Sequence, residues 1–126
     1  MPRILSISYD QALLRTRALL LSREGFEVES AVGFTAAIQA CKKGTFDLVI
    51  LGHSIPPEDK SAIVKQLKEV CVTPILALQR SNDPPVAAAD YNLDSGDPRR
   101  FLSYVRKITD HNTSFATTAE YGVEET

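Results

Sequence analysis

The segment Asp47–Pro57, "DLVILGHSIPP", decides the fold of this chain. Its apolar residues, Leu48–Leu51, follow one another without polar interruption, which predicts a strand buried on both faces. Such strands lie in the middle of parallel sheets that helices cover on both sides. In sheets of this kind, ligands bind at the carboxyl ends of the strands. Here that position holds Gly52, a residue without a functional group.

Strand and helix patterns alternate on both sides of this segment. The strands are predicted at "RILSI", "FEVESA", "TPILAL" and around Ala89–Leu93, and the helices at "SYDQALLRTRALLLSREGF", "FTAAIQACKK", "PEDKSAIVKQLKEV" and after Asp97. Gly25 and Gly44 are expected to end the first two helices, Gly44 in the left-handed conformation. Asp97 and Pro98 suit the N-cap and the first position of the last helix. The alternation predicts a parallel α/β fold.

Composition limits the class of protein. The chain has 126 residues, 44% of them hydrophobic, which suits one globular domain. Its net charge is −2, without a long block of like charge, so nucleic acid and membrane surfaces are not expected partners. We find no secretory signal pattern and no apolar run near the ~18 residues of a membrane span, and therefore expect a cytoplasmic protein. Cys41 and Cys71 lie in unrelated segments, so we expect two reduced, packed thiols.

The periodic pattern ends near residue 109. The last helix is expected to bury Phe101, Leu102, Val105 and Ile108. The segment from Asp110, "DHNTSFATTAEYGVEET", has no sustained period. We therefore predict a domain over residues 1–109 and a flexible tail over 110–126, with no DNA-binding effector domain after it.

Residues 3 to about 109 resemble the receiver domain of bacterial two-component response regulators. The resemblance runs through "ILSISYD", "LLSREGFEV", "DLVILGHSIP" and "TPILAL", and resumes at "AADYNLDSGDP". It implies a flavodoxin-like three-layer α/β/α sandwich with a five-stranded parallel sheet.

The resemblance also implies a chemistry whose residues are replaced here. Receivers of this family accept a phosphoryl group from a histidine kinase on an aspartate at the end of the third strand. An acidic pair after the first strand holds Mg²⁺, and a serine or threonine and a lysine end the fourth and fifth strands. The matching positions in this chain are Ser8, Tyr9, Gly52, Gln79 and Asp94. Gly52 offers no oxygen for an aspartyl-phosphate, so we expect a degenerate receiver without a catalytic residue, metal or cofactor.

Two neighbouring residues are assigned with the same resemblance. Asp10 would reach the metal pocket only if the first strand slipped by one residue, and it is better placed to cap the first helix. Tyr91 matches the fifth-strand aromatic that switches position in phosphorylatable receivers. It could contact the amide of Gln79, or it could be a half-buried tyrosine with its hydroxyl in water.

The family's fourth helix is expected to be shortened or missing. Between Gln79 and Asp94 the chain holds Pro84, Pro85 and a strand, which leaves no room for a helix of about 11 residues. That helix borders the face through which receivers commonly dimerise or engage their outputs. Its loss would change the partner surface and uncover part of the sheet, unless a loop, the tail or another protein lies there.

The remaining chemically interesting side chains have simpler explanations. His53 is expected in an exposed loop, where nothing in the sequence orients it or Ser54 for catalysis. "IPPE" is interpreted as a turn into the third helix. Solvated helix surfaces explain the basic residues of the first and last helices, namely Arg15, Arg17, Arg23, Arg99, Arg100, Arg106 and Lys107.

The sequence therefore supports one lead hypothesis and two others. The lead is a stand-alone degenerate receiver in two-component signalling that acts by phosphorylation-independent protein–protein interaction. Its partner would be a histidine kinase, another response regulator or an output protein, and a homodimer is open. The second hypothesis is a small-ligand site formed at the strand ends by Ser8, Tyr9, Gln79 and Asp94. The third is an enzyme that uses His53.

Overall fold

The computed structural model describes residues 2–80, 82–94 and 96–113, with side chains as far as residue 110. Its elements are β1 (Arg3–Ser8), α1 (Gln11–Arg23), β2 (Glu27–Val32), α2 (Phe34–Lys43), β3 (Leu48–Leu51), α3 (Pro57–Val70), β4 (Ile75–Gln79), β5 (Tyr91–Asp94) and α4 (Pro98–Thr113). The strands form one parallel sheet in the order β2-β1-β3-β4-β5. The predicted three-layer α/β/α fold is confirmed.

The central strand β3 is buried on both faces, as its unbroken apolar run predicted. All four of its residues have no exposed surface. Val49 and Leu51 pack in a core cluster with α2 and α3. Leu48 and Ile50 pack in a second cluster with α1 and α4. The sheet therefore separates two hydrophobic cores. A site can form at the edge of the sheet where the strands have their carboxyl ends.

The helix ends follow the sequence signals except at one glycine. Asp10 caps α1, because its Oδ1 accepts hydrogen bonds from the backbone N–H of Ala12 at 2.8 Å and Leu13 at 3.3 Å. Asp97 precedes α4 and accepts from the backbone N–H of Arg99 at 3.0 Å. The left-handed conformation expected at Gly44 is wrong: its φ is −124°, because the chain leaves α2 directly in an extended conformation.

A loop replaces the helix that was expected to be missing between β4 and β5. Among the described residues 80 and 82–90 there is no helix, which confirms the prediction. Val86 is 3% exposed and packs against the α2 and α3 cluster. The side-chain amide of Asn92 accepts from the backbone N–H of Val86 at 2.9 Å and donates to its carbonyl at 3.2 Å. Through Val86, this loop covers part of the sheet without a helix.

The two cysteines lie in unrelated segments of the sequence but next to each other in the fold. Cys41 on α2 and Cys71 at the end of α3 bring their Sγ atoms to 2.6 Å, although both cysteines are free. Burial, and then the hydrogen bond to Cys71, raise the pKa of Cys41 to about 12. Thirty residues separate the two thiols in sequence, so only the packing of α2 beside α3 brings them together.

The last helix extends beyond the predicted end of the domain. It continues to Thr113, past the boundary expected at residue 109. Phe101, Val105 and Ile108 are buried and Leu102 packs against the same cluster, as expected. Most of the predicted tail, residues 114–126, lies outside the described residues. No helix in the described part of the chain is long and apolar enough to cross a membrane.

Candidate functional site

The carboxyl ends of β1, β3 and β4 form the edge of the sheet at which the site was predicted. Gly52 follows β3 directly and its backbone N–H donates to the carbonyl of Ile7 at 2.8 Å. Gly52 is buried in this position. The side chain that lies beside Gly52, that of Arg17, comes from α1.

Arg17 occupies the space where a side chain on residue 52 would begin. A Cβ atom added to Gly52 would lie 3.2 Å from Nη2 and 3.3 Å from Nη1 of Arg17. Arg17 is only 7% exposed, and its Nη1 donates to Ser6 Oγ at 3.1 Å. Burial lowers the pKa of Arg17 to about 10, so the guanidinium still carries its charge at neutral pH. A buried cation therefore lies above the glycine.

The two positions after β1 are engaged in structural hydrogen bonds. Ser8 is fully buried, and its Oγ lies 3.0 Å from Ser54 Oγ and accepts from the backbone N–H of Asp10 at 3.0 Å. Tyr9 is 41% exposed and donates its hydroxyl to Asp59 Oδ2 at 3.0 Å. Burial, and then Asp59, raise the pKa of Tyr9. Ser8 thus ties the end of β1 to the loop after β3, and Tyr9 ties it to the first turn of α3.

The contact considered between Gln79 and Tyr91 is wrong. Register pairs Gln79 with Asp94 and Leu76 with Tyr91, so the two side chains lie on opposite faces of the sheet. The amide of Gln79 donates instead to Asn92 Oδ1. Tyr91 is half-buried and packs edge-on against Tyr104, with ring centroids 6.5 Å apart. Burial raises the pKa of Tyr91, and its role as a switch stays a prediction.

The residues at this edge do not suit Mg²⁺. Asp94 is exposed and accepts from the backbone N–H of Gly96 at 3.2 Å. Ser8, Tyr9 and Gly52 offer no carboxylate, and Mg²⁺ normally takes one or two. The guanidinium above Gly52 would repel a cation. Within the part of the chain that the structure describes, no group of three or more His, Cys, Asp or Glu side chains could hold a metal.

A second cation reaches this edge from α3. Lys60 is 1% exposed and donates its Nζ to the carbonyl of Leu78, near the end of β4, at 2.7 Å. Burial lowers the pKa of Lys60. Lys60 thus brings positive charge from a helix to the end of β4.

His53 differs from the exposed loop residue that was expected. It is half-buried, and its Nδ1 is buried without a hydrogen-bond partner among the described residues. Burial, and then the positive charge of Arg17, lower the pKa of His53. Further contributions come from Arg80 and Lys60, which lower this pKa, and from Asp10, which raises it. Burial and the nearby positive charges thus favour the neutral form of the imidazole.

Sequence reasoning missed Arg17 and Lys60, and the assignment of Arg17 to a solvated surface is wrong. A signal was present in the helical spacing. Arg17 lies between Leu14 and Leu21, three and four residues away, on the buried stripe of α1. Lys60 begins the buried stripe that continues through Ile63, Val64 and Leu67 on α3. A charged residue in such a stripe is the pattern to look for, since Lys and Arg are rarely buried without a partner.

Comparison with solved structures places this fold in a class. The fold is that of response-regulator receiver (CheY-like) domains. A CheY-like receiver from Methanospirillum hungatei matches with a TM-score of 0.77 and 18% identity, over 90% of this chain and 98% of that one. The response regulator TrrA of Thermotoga maritima, in complex with the histidine kinase ThkA, matches with a TM-score of 0.73 and 22% identity, over 86% of this chain and 98% of that one. At these identities the likeness shows the fold.

The comparison of sequences agrees with the class. Response regulator ArlR of Staphylococcus saprophyticus is 27% identical over 96 residues. The match covers 75% of this chain and 44% of the relative, so the chain spans less than half the length of that protein. No family model matches the chain.

Proposed function

We propose that this chain is a degenerate receiver domain that works in two-component signalling by protein–protein interaction, without phosphoryl transfer of its own. The observation that carries the proposal is the buried guanidinium of Arg17 over Gly52, within 3.2 Å of where an acceptor side chain would start. The fold and the likeness to ArlR support the signalling context.

Chemistry at the site supports the absence of phosphoryl transfer. An aspartyl-phosphate needs a carboxylate nucleophile, and glycine has none. Charge neutralisation by Mg²⁺ needs oxygen ligands, and the two side chains after β1 are neutral and engaged with Ser54 and Asp59. With neither nucleophile nor metal, we propose that the chain is not an enzyme, that it needs no cofactor, and that the shape of its surface carries the signal.

The partners follow from the same reasoning. A receiver fold that cannot be phosphorylated can still contact the proteins that receivers contact, namely a histidine kinase, another response regulator or an output protein. A second copy of the chain is also open. TrrA, a similar fold, is seen in complex with a histidine kinase. We propose a cytoplasmic partner of one of these kinds.

The four-residue ligand site considered from the sequence has no supporting geometry. Ser8 contacts Ser54, Tyr9 contacts Asp59, and the amide of Gln79 contacts Asn92. Asp94 is exposed and bonds to the backbone of Gly96. These side chains engage separate partners, so no common ligand is proposed for them. The catalytic role of His53 is not proposed either, because the described residues provide no hydrogen-bond partner to orient its Nδ1.

The proposal is tested by incubation with acetyl phosphate and Mg²⁺ followed by intact-mass measurement. The wild type is expected to gain no phosphoryl mass. Gly52→Asp is the informative variant: it restores a carboxylate, but the carboxylate would pair with Arg17 and the metal ligands would still be missing, so no adduct is expected. A hydroxylamine-labile phosphoryl adduct on the wild type would contradict the proposal.

Interaction is measured in parallel. Affinity capture from an extract of the source cell should recover a two-component protein in equal amounts with and without acetyl phosphate. Capture that requires acetyl phosphate, or that recovers no such protein, would count against the proposal.

A further inference from the structure

The guanidinium of Arg17 lacks an ionic partner. Arg17 is 7% exposed, and it makes no ion pair in the described part of the chain. Its described hydrogen bond goes to a neutral acceptor, Ser6 Oγ, although a guanidinium has five N–H donors. Buried charges in proteins are normally paired, because removing an ion from water costs several kcal/mol. Among the described residues, no acidic side chain therefore neutralises the charge of Arg17.

The charges that act on His53, which neighbours Arg17, are also mostly positive. After burial, the positive charges of Arg17, Arg80 and Lys60 lower the pKa of His53. Asp10 is the acidic residue that raises the pKa of His53. The Oδ1 atom of Asp10 already accepts two backbone hydrogen bonds at the start of α1. The buried Nδ1 of His53 has no partner among the described residues. A ligand that accepts hydrogen bonds and carries negative charge would compensate the charge of Arg17.

Arg17 and His53 line the same cavity. Its volume is about 130 Å³, and it opens between α1 and the start of α4. Apart from these two residues, it is lined by Leu13, Thr16, Leu20, Leu78, Pro98 and Phe101. The cavity thus combines mostly apolar walls with a cationic end. A cavity of about 150 Å³ accommodates a benzene-sized molecule, so the space suits a small ring or a short alkyl chain.

We propose that this cavity binds a small organic carboxylate, with the carboxylate on Arg17 and the apolar part against Leu20 and Phe101. A guanidinium pairs with the two oxygens of a carboxylate in a bidentate manner. The apolar walls favour an organic anion over inorganic phosphate, whose whole surface is hydrated. This proposal does not depend on the proposed function, because a ligand in the cavity requires neither a partner protein nor the absence of phosphoryl transfer.

The test uses benzoate as the probe and isothermal titration calorimetry on the full chain. Benzoate is expected to bind with a dissociation constant on the order of 0.1–1 mM. Benzamide and benzyl alcohol have a similar ring without the charge, and they should bind at least about tenfold more weakly. Hexanoate tests the alkyl alternative, and inorganic phosphate tests whether charge alone is enough.

Two variants connect binding to Arg17. Arg17→Met removes the cation and should weaken benzoate binding by about 10-fold to 100-fold. Gly52→Asp places a carboxylate beside the guanidinium and should weaken it similarly, which keeps the test decisive if Arg17→Met fails to fold. Arg15→Gln is the matched control, because Arg15 is an exposed arginine on the same helix, and it should bind benzoate like the wild type.

Several outcomes would overturn the proposal. The first is the absence of binding by both benzoate and hexanoate at concentrations up to about 10 mM. The second is binding of benzamide as tight as that of benzoate, or of phosphate tighter than that of either carboxylate. The third is a loss of benzoate binding in Arg15→Gln as large as in Gly52→Asp. Each result would show that no carboxylate site exists at Arg17.

Discussion

At the scale of single residues, the site is defined by one contact between a glycine and a cation. Gly52 has no side chain at the end of β3, and the guanidinium of Arg17 lies within 3.2 Å of the position that an added Cβ would take. Arg17 reaches this point because it belongs to the buried stripe of α1. The edge of the sheet is therefore cationic near the glycine, whereas a metal-binding receiver needs it to be anionic.

His53 gives a prediction about pH at the same scale. Because burial and nearby cations lower its pKa below 6.5, the folded protein resists protonation that the unfolded chain accepts. The contribution of His53 to stability is present above pH 6.5 and is lost as the pH falls through the pKa of the folded state. Urea unfolding between about pH 5 and 7.5 should show a smaller loss of stability toward low pH in His53→Asn than in the wild type.

The other histidine provides the control for this measurement. His111→Asn should keep the contribution of His53 to the pH dependence. If His53→Asn and the wild type lose the same stability toward low pH, the environment assigned to His53 is wrong.

At the scale of elements, the loop between β4 and β5 is held by a side chain rather than by a helix. Asn92 bonds to both backbone groups of Val86 and accepts from Gln79. Asn92→Ala should destabilise the protein by about 1–3 kcal/mol, because it leaves buried backbone groups without partners. It should also speed hydrogen exchange at the Val86 amide.

Asn82→Ala is the matched control for the loop. Asn82 is exposed in the same segment, and its replacement should change stability by less than about 0.5 kcal/mol. Equal effects of the two substitutions would show that Asn92 does not anchor the loop.

The elements were largely predictable from the sequence, and the contacts between them were not. The unbroken run at Leu48–Leu51 predicted the central strand, and Asp10 and Asp97 predicted helix starts, because these signals are local. Two contacts depend on which elements pack together: that of Cys41 with Cys71 and that of Arg17 with Gly52. Local patterns do not carry that information, although the position of Arg17 in the apolar stripe of α1 indicated that its side chain is buried.

At the scale of the whole molecule, one sheet joins two separate cores. Val64 on α3 and Val105 on α4 are both fully buried, one in each cluster. Val64→Ala and Val105→Ala should each cost about 2 kcal/mol, from lost apolar burial and the cavity left behind. Because the sheet lies between them, the double variant should cost the sum within about 0.5 kcal/mol.

The two valine variants also test whether the cores unfold together. The chain contains no tryptophan and four tyrosines, so tyrosine fluorescence and far-UV circular dichroism are the probes. A single transition that coincides for both probes is expected in each variant. Separate transitions would show that the two layers are independent units.

The loop that stands in place of a helix between β4 and β5 also limits how another protein can fit against this side of the molecule. Helices recognise each other by setting rows of side chains into the furrows between rows on the partner, which requires a helix on both sides. In the described residues of this segment such furrows do not exist. A protein that docks on this segment must instead match an irregular outline held in place by Asn92, which favours selectivity for this surface over one built from a helix.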